Sequence, residues 1–99
     1  MKRTFIAYTD PGHGWLKVPA ASIKEVGLKA ADFSVYSYID QGHMFLEEDC
    51  DAGKFLDAFA RTHGQEAKHT VRSCNGHSRV RYKWSNTPEA ARYFVPEIA

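Results

Sequence analysis

Residues 43–64 read "HMFLEEDCDAGKFLDAFARTHG", and the hydrophobic pattern changes character within them. "HMFLEE" (43–48) is a short apolar run with the look of a strand. From residue 52 the spacing is helical. Ala52, Phe55, Leu56, Phe59, Ala60 and His63 fall at i, i+3, i+4, i+7, i+8 and i+11, the stripe of an amphipathic helix. Asp49 or Asp51 caps its start and Gly64 follows its end. A strand that feeds a helix sets the class: sheet and helix in layers.

Working back from this stretch, "DQG" (40–42) turns the chain, with Gly42 free to take a positive φ. "FSVYSYI" (33–39) precedes it as a strand in which Phe33, Val35 and Ile39 alternate with Tyr36 and Tyr38. Earlier still, "RTFIAYT" (3–9) and "HGWLKV" (13–18) form a hairpin around "DPG" (10–12), whose Pro and Gly suit a type II turn. Pro19 suits the first turn of a short helix, "AASIKEV" (20–26), with Ile23 and Val26 three apart and Gly27 ending it.

Working forward, residues 70–84 read "TVRSCNGHSRVRYKW". Asn75-Gly76 is a strong two-residue hairpin signal, since both turn positions need positive φ. That turn sets Cys74 against His77, Arg72 against Arg79, Thr70 against Arg81 and Lys68 against Lys83, all on one face. Val71, Val80, His69, Tyr82 and Trp84 take the other face. "NTPEAARYF" (86–94) then supplies a terminal helix, with Thr87 as cap, Pro88 at its first position and Pro96 as the stop. The expected architecture is α+β: a single domain over residues 1–99, with a mostly antiparallel sheet built from three hairpins and two to three short helices on one face.

Ninety-nine residues, 43% hydrophobic and 25% charged, suit one modest core and are too apolar for disorder. No apolar run has the length of a membrane span, and "MKRTFIAY" reads as a first strand and not a secretion signal. Cys50 and Cys74 form no CxxC and read as reduced thiols of an intracellular protein. The formal net charge of +1 conceals a polarised chain. Between Asp32 and Asp57 seven acids face Lys54 alone, and between Arg61 and Lys83 six cations face Glu66 alone.

Three stretches invite a functional reading. The basic face of the 68–83 hairpin (Lys68, Arg72, Arg79, Arg81 and Lys83) can contact a polyanion. Like charges set across strands are mildly unfavourable, which argues against an accidental pattern. Three occupants compete: the chain's own acids, an acidic protein surface, and nucleic acid. With Tyr82 and Trp84 turned to the opposite side, base stacking loses its platform. "LEEDCD" (46–51) gathers carboxylates, but its spacing matches no calcium loop, so helix capping accounts for it. Cys50 among these acids has a raised pKa and is a poor nucleophile. "DPGHGW" (10–15) brings Asp10, Gly12, His13 and Gly14 into one turn. Its glycine amides could cradle an anion and His13 could act as an acid or base. Neither phosphate-binding glycine motif is present, and the five histidines lack metal-ligand spacing. The expectation is therefore no metal, no cofactor and no catalytic residue.

"DPGHGWLKVP" followed by "YSYIDQGHMFLEEDCDAGKFLDA" resembles a family of small, uncharacterised bacterial and phage proteins that share a "DPGHGWL" opening and an "LEEDCD" middle. The resemblance spans Thr9 to Tyr82 and brings no activity with it. It implies an accessory protein of a phage or mobile element, working in the cytoplasm of a bacterial host by binding a host protein or nucleic acid. The sequence reading is thus a non-enzymatic binding protein that meets an acidic macromolecule through its basic hairpin. The alternatives are direct nucleic-acid binding by the same face, and a small-ligand binder or enzyme around His13. An exposed edge strand and the apolar tail "YFVPEIA" leave room for a homodimer.

Overall fold

The structure, a computed structural model, describes residues 4–10, 12–73, 84, 85 and 87. In chain order the elements are β1 (Thr4–Thr9), β2 (Gly14–Pro19), α1 (Ala20–Glu25), a 3-10 turn (Ala30–Asp32), β3 (Tyr38–Asp40), β4 (His43–Glu47), α2 (Ala52–His63), β5 (Lys68–Ser73) and β6 (Trp84–Ser85). They form an α+β fold with one six-stranded sheet in the order β5-β1-β2-β4-β3-β6. Among the described residues no helix is long and apolar enough to cross a membrane.

The two N-terminal hairpins form as expected. β1 and β2 pair antiparallel, as do β3 and β4. The second is closed by Asp40 opposite His43, with Gln41 at φ 47° and Gly42 at φ 77° between them. Two consecutive positive φ values match the right-handed twist of the strands and make a type I′ turn. Helix α2 covers the residues expected, with Gly64 at φ 71° closing it through an amide donation to the Ala60 carbonyl.

The sheet is mixed, which corrects the all-hairpin picture. β5 runs parallel to β1, with Thr4 beside Lys68 and Thr9 beside Ser73. The chain leaves β4, crosses through α2 and returns beside β1, passing over β2 on the way. A parallel return needs such a crossover, and a 12-residue helix supplies it. β6 pairs with β3 at the opposite edge, so residues 68–73 and 84–85 are not the paired arms of one hairpin. The Asn75-Gly76 turn lies outside the described residues, as does the terminal helix expected at 87–94, Thr87 apart.

Both helices cover the same side of the sheet. Phe5, Leu16, Val18, Met44 and Leu46 point from the strands into a cluster closed by Ile23 of α1 and by Phe55 and Phe59 of α2. Phe5 meets Phe55 and Phe59 edge-to-face, at 5.2 and 5.8 Å. At the far end of α2, His63 Nε2 lies 3.0 Å from a Glu25 carboxylate oxygen, tying α2 to the end of α1. The alternate residues of the same strands form a second, smaller cluster: Trp15 and Phe45 buried, with Tyr8 and Tyr38 against them.

Candidate functional site

The turn between β1 and β2 is held by Asp10. Its carboxylate accepts hydrogen bonds from the amides of Gly12 and His13, at 2.9 and 2.8 Å, and its own amide donates to the His13 carbonyl at 2.8 Å. The Gly12 amide, which the sequence offered as an anion donor, therefore already serves Asp10. Gly14 answers a different demand. Its carbonyl accepts from the Glu48 amide at 3.0 Å, and a β-carbon there would stand 2.6 Å from a Glu48 carboxylate oxygen. The missing side chain lets the 10–13 turn settle against the turn that follows β4.

That second turn is the acidic stretch, and capping does not explain it. Asp51 occupies the position before α2 but makes no side-chain cap. Instead its carboxylate, 1% exposed, reaches across to the loop before β3. It accepts from the Ser34 amide at 2.9 and 3.0 Å, from the Ser34 hydroxyl at 2.7 Å and from the Ser37 hydroxyl. Ser37 Oγ in turn accepts from the Glu47 amide at 3.0 Å. A buried carboxylate demands such donors, and meeting that demand shapes the loop. The strand expected over 33–39 is accordingly only Tyr38–Asp40, and residues 33–37 form a pinned loop with Val35 and Tyr36 turned outward. Glu47 organises the rest of the turn, its Oε2 accepting from the amides of Asp49 and Cys50 at 3.1 and 2.8 Å.

Between the two turns lies a cavity of about 340 Å³. Gly12 and His13 border it on one side, and Glu47, Asp49 and Cys50 on the other. Trp15, Tyr36 and Tyr38 complete the lining. The Trp15 ring is 5.6 Å from His13 and stands edge-on to Tyr38 at 6.0 Å. Trp15 is 3% exposed, and its indole N–H finds no hydrogen-bond partner among the described residues. The Cys50 thiol is pushed up from its usual pKa, first by hydrogen bonding to the Glu47 carboxylate and then by desolvation and the surrounding negative charge. It rests as a thiol and not as a thiolate nucleophile.

The cavity thus gathers His13, Gly12 and the acidic stretch, which are far apart in sequence. Asp10 and Gly14 shape the turn behind it. Trp15, Tyr36 and Tyr38 are the additions that sequence reasoning missed. The alternation of tyrosines in 33–39 was the available signal, but it was read as strand pattern alone.

The basic residues lie elsewhere. Lys68 and Arg72 are exposed on β5, and Arg79, Arg81 and Lys83 fall outside the described residues. Register carries one row across the sheet on the side away from the helices: Arg72, Tyr8, Trp15, Glu47. Three strand spacings separate its ends, about 14 Å. Among the described residues no group of His, Cys, Asp or Glu is arranged to hold a metal ion. Comparison with known proteins finds no matching family model, no matching curated protein and no matching solved structure.

Proposed function

We propose that this chain is a small, non-catalytic accessory protein of phage or mobile-element type, whose positive sheet edge meets an acidic surface on a host protein. The observation that carries this reading is the strand order. Lys68 and Arg72 sit on β5, while the acids of 47–51 follow β4, with β1 and β2 between them. Two strands separate these cations from the chain's own acidic turn, and neither forms an ion pair among the described residues. Arg79, Arg81 and Lys83 follow in the sequence but lie outside the described residues, and Lys83 directly precedes β6 at the opposite edge of the sheet. Unpaired cations steer an acidic partner in and then form charge-assisted hydrogen bonds, with Arg bidentate on carboxylate.

A protein is favoured over nucleic acid by the state of the aromatics. Single strands are gripped by exposed rings as well as by cations. On the face that carries Arg72 the adjacent ring is half-buried Tyr8, while Trp15 and Phe45 are only 3% and 6% exposed, so the described residues form no open row of rings beside that cation. The raised pKa of Cys50 argues against that thiol as a nucleophile.

The test is a charge reversal read in two assays. Lys68→Glu with Arg72→Glu, and separately Arg79→Glu with Arg81→Glu, should keep the circular dichroism of the parent while abolishing salt-sensitive co-purification of a host protein. Unchanged co-purification by both variants would falsify the reading. A labelled oligonucleotide that binds the parent tightly at low salt, losing about one unit of log–log salt slope per cation removed, would move the function to nucleic acid.

A further inference from the structure

We propose that the cavity between the 10–13 and 47–50 turns binds a small organic ammonium ion, methylated or quaternary, whose body carries an oxygen acceptor. The inference is independent of the basic edge, since it rests on a different part of the sheet and on the opposite charge.

The sign of the charge comes from the lining. Glu47 and Asp49 contribute carboxylates, and among the described residues no Lys or Arg borders the space. Glu47 is held at the wall by the two amides it accepts from, while the exposed Asp49 carboxylate has no partner among the described residues. An anion would meet these carboxylates, and the amides of Gly12 and His13 do not offset them because both are committed to Asp10.

The kind of cation comes from the walls. A hard metal ion needs several oxygens converging at about 2.0–2.6 Å, and no such cluster exists among the described residues. What the cavity offers is aromatic surface. Half-buried Tyr38 contributes its ring to the wall, backed edge-on by Trp15, which is 3% exposed, with centroids 6.0 Å apart. Tyr36, 64% exposed, stands on the loop that Asp51 pins, its amide donating to Ser34 Oγ at 3.2 Å. Ring faces are negative and attract cations, most usefully weakly hydrated ones that give up little water on entry. Methylated ammonium groups meet that description. A volume of about 340 Å³ suits a small ligand, near the lower end of the usual range of roughly 300–1,000 Å³.

The indole N–H of Trp15 is the independent pointer. It is a buried donor with no partner among the described residues, and Trp15 forms part of the wall. Buried donors of this kind are uncommon and call for an acceptor. An oxygen on the ligand supplies one once the Trp15 ring turns to bring its buried N–H to the cavity, while the ammonium lies toward Asp49.

The experiment is a titration of isotope-labelled full-length protein with choline chloride, following the Trp15 indole N–H resonance, with Trp84→Phe used to assign it. Sodium chloride at matched ionic strength is the reference. Choline should shift the resonance saturably, and Tyr36→Ala and Asp49→Asn should each weaken the apparent affinity by about tenfold. Both positions are exposed, so folding should survive. Tetramethylammonium, which lacks the oxygen, should bind less tightly than choline. A trimethyllysine peptide separates the sources: tighter binding than choline means that the cation arrives on a polypeptide, weaker binding that it is a free small molecule. The proposal fails if neither choline nor the peptide gives a saturable shift, if sodium chloride reproduces the shift, or if both variants bind as the parent does.

Discussion

The two faces of the sheet are built by different means. On the helix side, Phe5, Val18, Ile23, Met44, Leu46 and Phe55 are fully buried hydrocarbon, closed by both helices. On the other side Trp15 and Phe45 are the buried pair among the described residues, flanked by half-buried tyrosines and with the Lys17 ammonium 6.0 Å from the Phe45 ring. The order at the end of that side comes from polar pins: Asp10 on its turn, Glu47 on the next, and Asp51 on the loop bearing Tyr36. A hydrocarbon face stabilises the fold without discriminating between ligands. A face of rings and fixed carboxylates contributes less to stability and leaves chemistry available at the surface.

The sharpest way to break this contrast is to remove one ring from each face. Phe55→Ala should cost about 4–5 kcal/mol, because its neighbours Phe5 and Phe59 are themselves fully enclosed and cannot close the gap. Phe45→Ala should cost about 3 kcal/mol, since half-buried Tyr8 and Tyr38 can lean into the space. Chemical denaturation with a common slope measures both. Equal losses would mean that the second face is a core in its own right. If Phe55→Ala does not fold, as is credible for a domain with a total stability of about 5–15 kcal/mol, Phe55→Leu preserves the comparison at a smaller cost.

Asp51 allows a subtler separation. Asp51→Ala leaves the Ser34 amide and two serine hydroxyls without their acceptor, at a cost of about 2–3 kcal/mol. Its second effect should be local. The loop carrying Tyr36 should gain fast amide exchange, while exchange in the middle of α2 changes only by the global loss of stability. A uniform change across the molecule would deny the pinning role. Asp51→Asn, which keeps an acceptor but loses the charge, should fall between the two.

The same physics decides what was legible in advance. Helix α2, the 40–43 turn and the first hairpin each depend on residues close in sequence, so the hydrophobic stripe of Ala52–His63 and the glycines at 42 and 64 announced them. β5 beside β1 depends on a parallel pairing across some sixty residues, and the alternation in 68–73 suits any neighbour strand equally well. The loop at 33–37 was misread for a related reason. Phe33, Val35 and Ile39 alternate as a strand does, and only the distant Asp51 overrides that local preference. The cavity was half legible: "DPGHGW" and "LEEDCD" both stood out, but nothing local says that they meet. Their meeting requires β4 to lie next to β2 and residue 14 to be small enough for the Glu48 turn to approach.

The smallest effect tests the electrostatics of that meeting. Cys50 is exposed, so its altered acidity reflects its neighbours and contributes nothing to stability. A raised pKa means less thiolate at a given pH, so alkylation by iodoacetamide at mildly alkaline pH should run slower than for an unstructured cysteine, and the pH–rate midpoint should lie higher. Glu47→Gln keeps an oxygen to accept from the Asp49 and Cys50 amides while removing the charge and the strongest acceptor for the thiol. The turn should therefore persist, the midpoint should move down, and the rate at fixed pH should rise. The comparison is made in a Cys74→Ser background so that one sulfur reports. An unchanged rate would mean that the Glu47 carboxylate does not act on the cavity rim, and the contrast between a hydrocarbon face and a charged one would then rest on shape alone.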